Sequence, residues 1–211
     1  MLEKIRAQWT KVIRPLALRL LKLGITPDIV TWTGTIGAIL VAVICFPQGW
    51  LWQGTLVMLV FIFSDSLDGT MARESGRSSK WGAFLDSTLD RLADGAILGG
   101  LALYYASRPD GLIWCGLAIA ALVFALVTSY SKARGESVGI EVHAGLAGRA
   151  DRLVLSLVGA FATGVGVSWA LPVALIYLCA AGAFTVGQRM WIVRKAIVAE
   201  QATRPDADEK A

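Results

Sequence analysis

The sequence predicts an all-α integral membrane protein, with six transmembrane helices preceded by an amphipathic interfacial helix. Three observations lead there. Of 211 residues, 55% are hydrophobic and only 17% charged, and the mean hydropathy is +0.60, which leaves too little polar surface for a soluble domain. The apolar residues fall in runs of about 20, the length of a helix that crosses a bilayer. All but two of the 20 basic residues lie at one end of those runs. The same composition excludes a disordered chain. Cys45, Cys115 and Cys179 sit apart within apolar runs, in neither a disulfide framework nor a zinc pattern, and read as small buried hydrophobes.

Taken in order, residues 1–25 form the interfacial element, 26–196 the membrane domain and 197–211 a solvated tail. In the first segment Leu2, Ile5, Trp9, Val12, Leu16 and Leu20 recur every three or four positions and share a helical face. Lys4, Arg6, Lys11, Arg14, Arg19 and Lys22 are interleaved with them, a pattern suited to an anionic leaflet and unlike a cleavable signal. Pro15 is expected to kink this helix. Thr26-Pro27-Asp28 supplies the next helix start, with Thr26 as cap and Pro27 in the first turn.

The six spans run approximately over 28–48, 52–73, 82–107, 111–133, 151–169 and 171–194. The longest internal connection, Arg134–Arg149, is Gly-rich and reads as a loop, with His143 solvated inside it. Arg91, inside the third span, and Arg108, at the opposite end, are the exceptions to the basic side. Cationic loops stay in the cytoplasm, so both termini are expected there, in a multi-pass protein of the cell (inner) membrane. Trp50, Trp52, Trp114 and Trp169 fall at the other end of the spans, as an interfacial aromatic belt requires.

Ionisable groups within a span are costly and usually have work to do. Asp65 and Asp68 lie on the second span, Asp86 and Asp90 on the third, spaced so that each pair shares a helical face. The short 74–81 connection predicts antiparallel neighbouring helices on which the two pairs converge. Four converging carboxylates need positive charge, and hard oxygen ligands without His or Cys suit one or two magnesium or manganese ions. Gly69, Ala72 and Gly82 are small beside the carboxylates and would let a substrate approach the backbone; Arg73 suits a phosphate. A buried ion-pair network, a small cation transporter or a scaffold would also place carboxylates here.

The string D-x-x-D-G-x-x-A-R-x8-G-x-x-x-D-x-x-x-D, with eight fixed positions over residues 65–90, resembles the signature of CDP-alcohol phosphotransferases without departure. Those are six-helix membrane enzymes that move a phosphatidyl-type group from a CDP-linked lipid to an alcohol. The resemblance implies that Asp65, Asp68 and Asp86 hold metal. Asp90 is then the base that takes the acceptor's proton and is also a possible metal ligand. Gly69, Ala72, Arg73 and Gly82 would line the CDP site. It further implies a homodimer.

For the acceptor, Ser129, Lys132 and Arg152 lie at the level of the aspartates, a basic cluster that a phosphorylated acceptor would need and a neutral one would not. The stretch from Thr128 to Arg152, with Gln188-Arg189, is similar to the actinobacterial phosphatidylinositol phosphate synthases of the family. This implies CDP-diacylglycerol as donor and inositol 1-phosphate as acceptor. Ser129, Lys132, Arg152 and Arg189 become candidates for its phosphate, with Arg194 a rival to Arg189. Glycerol 3-phosphate is the alternative acceptor. Arg134 and Arg149 are expected to serve only as orienting charge, and Asp94 to pair with Arg91 or a partner helix. Gly95 and Gly99 form a small-residue packing pair. The dispersed basic residues give no sign of a nucleic-acid surface.

Overall fold

A computed structural model describes residues 13–76, 79–142, 144–146 and 148–203, with the backbone alone for Asp65, Ala202 and Thr203. The described residues are helical apart from their connections. Helix α1 covers 13–22; α2 is Pro27–Cys45, α3 Leu51–Glu74, α4 Lys80–Ala106, α5 Leu112–Ser137, α6 Arg149–Gly164 and α7 Ala170–Thr203. The predicted positions 1–12, His143 and the tail from 204 onward lie outside the described residues.

Local chemistry sets the helix starts. The Thr26 hydroxyl accepts from the Ile29 amide at 3.4 Å, and Pro27 occupies the first turn of α2. Ser79 caps α4 by accepting from the Gly82 amide at 3.0 Å. At α6, the Asp151 carboxylate reaches back to accept from the Gly148 amide at 3.0 Å, so the helix opens with Arg149 in its first turn. Gly49, at φ +83°, makes the tight return from α2 to α3 that a side chain would strain.

Three helix ends differ from expectation. Helix α6 stops at Gly164, short of 169, where the chain turns through Gly166 at φ +110°. Helix α5 continues to Ser137 and shortens the expected 134–149 loop. Helix α7 runs past 194 to Thr203, so residues 197–203 are helical and not part of an extended tail.

Helices α2, α3, α5 and the Ala170–Gln201 part of α7 are long and apolar enough to cross a membrane, as in a multi-pass membrane protein. Helix α4 falls short because Lys80, Asp86, Asp90, Arg91 and Asp94 interrupt its first half. Helix α6 has 16 residues, which at 1.5 Å per residue span roughly 24 Å.

The expected pairing of the aspartate helices needs correction: among the described residues α3 packs chiefly against α2, and α4 against α2 and α5, rather than against each other. The reason is the narrow face of α2. A Cβ on Gly34 or Gly37 would collide with Ser64 or Phe61 of α3, and one on Gly100 of α4 would collide with the Ala42 carbonyl of α2. Small residues draw both neighbours onto α2 and wedge it between them.

The apolar core, including Phe46, Leu51, Leu101, Tyr105 and Leu171, comes from the helix ends remote from the aspartates. Thr31, Asp68, Asp94, Thr128, Arg152, Thr185 and Arg189 are buried toward the other end. Helix α1 caps that end. Its Ala17, Leu20 and Leu21 pack with Val30, Leu67 and Met71, while Leu16 stays half exposed, and Arg14 pairs with Glu74 at 3.0 Å. Beyond any contact with a membrane surface, α1 is therefore held to α3.

Candidate active site

Each motif residue takes its position from the helix that carries it. Asp68 is buried on α3, and the hydroxyl of Thr31 on α2 donates to its Oδ2 at 2.6 Å. This is the kind of hydrogen bond that fixes the orientation of a metal-ligating carboxylate. Asp65 lies one turn earlier on α3; its side chain is not among those described. On α4, Asp86 is exposed and Asp90 partly buried.

Among the described residues, no three Asp, Glu, His or Cys side chains stand together as a metal-binding group. The expected set draws one of its members from outside that description, namely Asp65. The chemistry of the donors still fits a hard divalent cation: the motif offers carboxylate oxygens alone, and Thr31 orients Asp68 through a neutral hydroxyl.

The glycines divide by what surrounds them. Gly34, Gly37 and Gly100 are required by packing. Gly69 and Gly82 are not: a Cβ on Gly69 would meet only the Arg73 guanidinium at 3.7 Å, and one on Gly82 only Ser79 Oγ at 3.5 Å. Both therefore border open space beside the carboxylates, which suits close approach of a ligand to backbone. Ala72 is half-buried on α3. Arg73 is exposed, and its guanidinium donates to Thr70 Oγ1 at 3.1 Å.

The polar centre of the site is a ladder between α4 and α6. Arg149 Nη2 lies 2.6 Å from Asp90 Oδ1, and its Nε 3.7 Å from Asp94 Oδ1. Arg152 Nη2 lies 3.2 Å from Asp94 Oδ2 and also donates to Ser129 Oγ at 3.3 Å. Arg91 is 3.9 Å from Asp90 and donates to the Ser87 carbonyl of its own helix. The structure thus links Ser129 and Arg152 to Asp94, one turn from the base candidate Asp90. Asp94 pairs with a neighbouring helix, and its partners are the α6 arginines.

The other acceptor candidates are placed differently. Lys132 is on the exposed side of α5, where it pairs with Glu136 at 3.8 Å. Arg189 is buried on α7; its Nε donates to the Ala144 carbonyl at 2.9 Å and its Nη1 to the Thr128 carbonyl. It ties the backbone at Ala144 to α5 next to Ser129. Arg194 is exposed, on a groove between α5 and α7.

Two residues escaped the sequence reading. Arg149 was expected to be orienting charge, yet it meets Asp90 directly. Its signal was the Arg149-x-x-Arg152 spacing, which puts both arginines on one face of α6 opposite the four-residue step from Asp90 to Asp94. Thr31 was overlooked, although Thr31 and Thr35 share one face of an otherwise apolar helix and both are buried.

An apolar groove of about 410 Å³ runs between α3 and α6, lined by residues that include Leu56, Leu59, Ile62, Leu153 and Leu157. Ile62 and Leu153 also line a smaller cavity that holds Asp90 and Arg149 and is floored by Gly34 and Thr35 of α2. The groove and this cavity therefore adjoin across Ile62 and Leu153.

Residues 24–187 match the family model described as CDP-alcohol phosphatidyltransferase. The chain is 57% identical over 204 residues to the phosphatidylinositol phosphate synthase of Cutibacterium acnes, covering 93% of this chain and 99% of that protein. It is 40% identical over 208 residues to that of Mycolicibacterium smegmatis, covering 97% and 94%. The crystal structure of Mycobacterium tuberculosis phosphatidylinositol phosphate synthase with CDP-DAG bound matches with a TM-score of 0.84 at 35% identity, over 95% of this chain and 98% of that one. A crystal structure of the same protein in complex with manganese and citrate matches at 0.83, also at 35% identity, over 94% and 93%. With the motif, the helical frame and these likenesses in agreement, the chain belongs to the CDP-alcohol phosphatidyltransferase family.

Proposed function

We propose that the protein transfers the phosphatidyl group of CDP-diacylglycerol to inositol 1-phosphate, releasing CMP and forming phosphatidylinositol phosphate. The observation that carries this assignment is the ladder of Asp90, Arg149, Asp94, Arg152 and Ser129: it sets Arg149 against the candidate base and Arg152 one turn further along the start of the same helix. A helix N-terminus carries positive potential, so a phosphorylated acceptor suits that place. The relatives named as phosphatidylinositol phosphate synthases support the same acceptor. Family membership sets aside a cation transporter or a scaffold.

In the reaction, Asp90 accepts the proton of an acceptor hydroxyl as that oxygen bonds to the phosphorus that carries diacylglycerol. The bond from this phosphorus to the oxygen of CMP breaks, and CMP leaves with the electron pair. Without a base within hydrogen-bond reach, a hydroxyl is a poor nucleophile near neutral pH. Asp65, Asp68 and Asp86, with Asp90 at the edge of the set, would hold one or two Mg2+ or Mn2+ ions whose charge offsets that of the pyrophosphate and of departing CMP. Gly69, Ala72, Arg73 and Gly82 receive the CDP group, and an acyl chain lies in the groove between α3 and α6. Ser129, Arg152 and Arg189 bracket the acceptor phosphate. Lys132 joins them by exchanging its weak exposed pair with Glu136 for the phosphate.

The membrane arrangement follows. Helices α4 and α6 complete six spans, their charged portions turned to the polar end of the bundle. Helix α1 lies in the cytoplasmic interface of the cell membrane, with both termini and the active site on that side. The working form is a homodimer.

Purified protein in mixed micelles with CDP-diacylglycerol and Mg2+ tests the assignment by CMP release against each candidate acceptor. Release with inositol 1-phosphate is the expected result. Release with glycerol 3-phosphate and none with inositol 1-phosphate would overturn the choice of acceptor.

A further inference from the structure

The α4–α6 ladder contains more than two helices need to hold together. Asp94 already has Arg152, a pair in which both side chains are at least nine-tenths buried. Arg149 is the outer rung. Its side chain is 34% exposed, which leaves it accessible to a solute, and its Nη2 contacts Asp90 Oδ1 at 2.6 Å. In this arrangement one oxygen of the candidate base is covered by a guanidinium. Asp94 Oδ1, at 3.7 Å from Arg149 Nε, offers the guanidinium a second anchor close to the first. A swing between anchors requires no movement of either helix.

We propose that Arg149 is a positioning residue that makes turnover conditional on the acceptor's phosphate. Without acceptor it covers Asp90. A phosphomonoester dianion entering at the first turn of α6 takes the guanidinium in a charge-assisted, bidentate contact stronger than a single ion pair. Arg149 then moves off Oδ1, and the acceptor's own hydroxyl takes its place. Binding energy from a part of the substrate that does not react is thus used to assemble the reacting geometry. Ser129 and Arg152 keep the phosphate at the same turn. The inference rests on the proposal above that the acceptor is phosphorylated, and it adds that the phosphate also uncovers the base.

The test separates the acceptor into its parts. CMP release is measured on the full chain with CDP-diacylglycerol and Mg2+, using inositol 1-phosphate, inositol alone, and inositol with inorganic phosphate or phosphite. Inositol alone should be nearly inert, and added phosphite or phosphate should raise its turnover about tenfold or more, because the free dianion performs the same displacement. Failure of both dianions to activate inositol in the unaltered protein would overturn the proposal. In Arg149→Ala the dianion effect should vanish, and the kcat/KM ratio of inositol 1-phosphate to inositol should collapse through a rise in kcat for inositol. Arg149→Lys, which keeps the charge but not the fork, should retain part of the dianion effect. An Arg149 that only tied α4 to α6 would give a lower melting temperature and lower turnover with that ratio unchanged, which would also overturn the proposal. Should Arg149→Ala fail to fold, the dianion series on the unaltered protein still decides. If inositol 1-phosphate itself releases no CMP while glycerol 3-phosphate does, the choice of acceptor has failed; the same series with glycerol then tests the role of Arg149.

Discussion

The Thr31 hydroxyl donates to Asp68 Oδ2 at 2.6 Å and joins the first turns of α2 to the motif face of α3. Both residues are buried, so the contact is shielded from water. Thr31→Val keeps the shape and removes the donor. Turnover should fall roughly 10- to 100-fold, with a higher metal concentration needed for half-maximal rate, as when the hydrogen-bond partner of a ligating carboxylate is lost. A Mg2+ titration of CMP release checks this, and Thr31→Ser should recover most of the loss.

The two classes of glycine should respond in opposite ways. Gly100→Ala forces a Cβ onto the Ala42 carbonyl and should cost about 1–3 kcal/mol of stability. That cost is read as a lower melting temperature in detergent. Gly82→Ala meets only Ser79 Oγ at 3.5 Å and should melt normally. Its effect should appear as a raised KM for the CDP-lipid.

Asp90→Asn should reduce turnover by about 10²- to 10⁴-fold, the usual contribution of a positioned base. The bundle should survive, because Arg152 still holds α6 to Asp94. Binding of CDP-diacylglycerol, measured by thermal stabilisation, should persist. Substantial residual turnover would refute the role of Asp90 as base.

Arg152→Ala leaves the buried Asp94 with only its 3.7 Å contact to Arg149 and should lower stability by less than the roughly 3–5 kcal/mol of a fully uncompensated buried charge. The acceptor KM should rise while the CDP-lipid KM holds. Combining it with Asp94→Asn should recover stability, because the under-compensated buried charge is gone, but should leave the acceptor KM raised. Double-mutant melting curves and acceptor kinetics separate the two effects.

Amino-acid order alone sets the helical class, the motif and the starts of most helices. These are local properties: apolar run length sets spans, Thr26, Pro27 and Asp151 act within one turn, and Asp65 to Asp90 are ordered by helical period. Arrangement across the bundle was decided only in three dimensions. The short 74–81 connection suggested that α3 and α4 pair, but loop length bounds the separation of helix ends and does not choose their neighbours. The small residues facing one another across α2 made that choice. Partners far apart in the chain were hidden for the same reason. Thr31 finds Asp68, and Arg149 finds Asp90, through the packing of different helices. Charge counting reads Arg149 as one more cytoplasmic cation. Its contact with Asp90 exists because α6 begins just there, capped by Asp151, with Arg149 turned toward both aspartates of α4 and Arg152 toward Asp94.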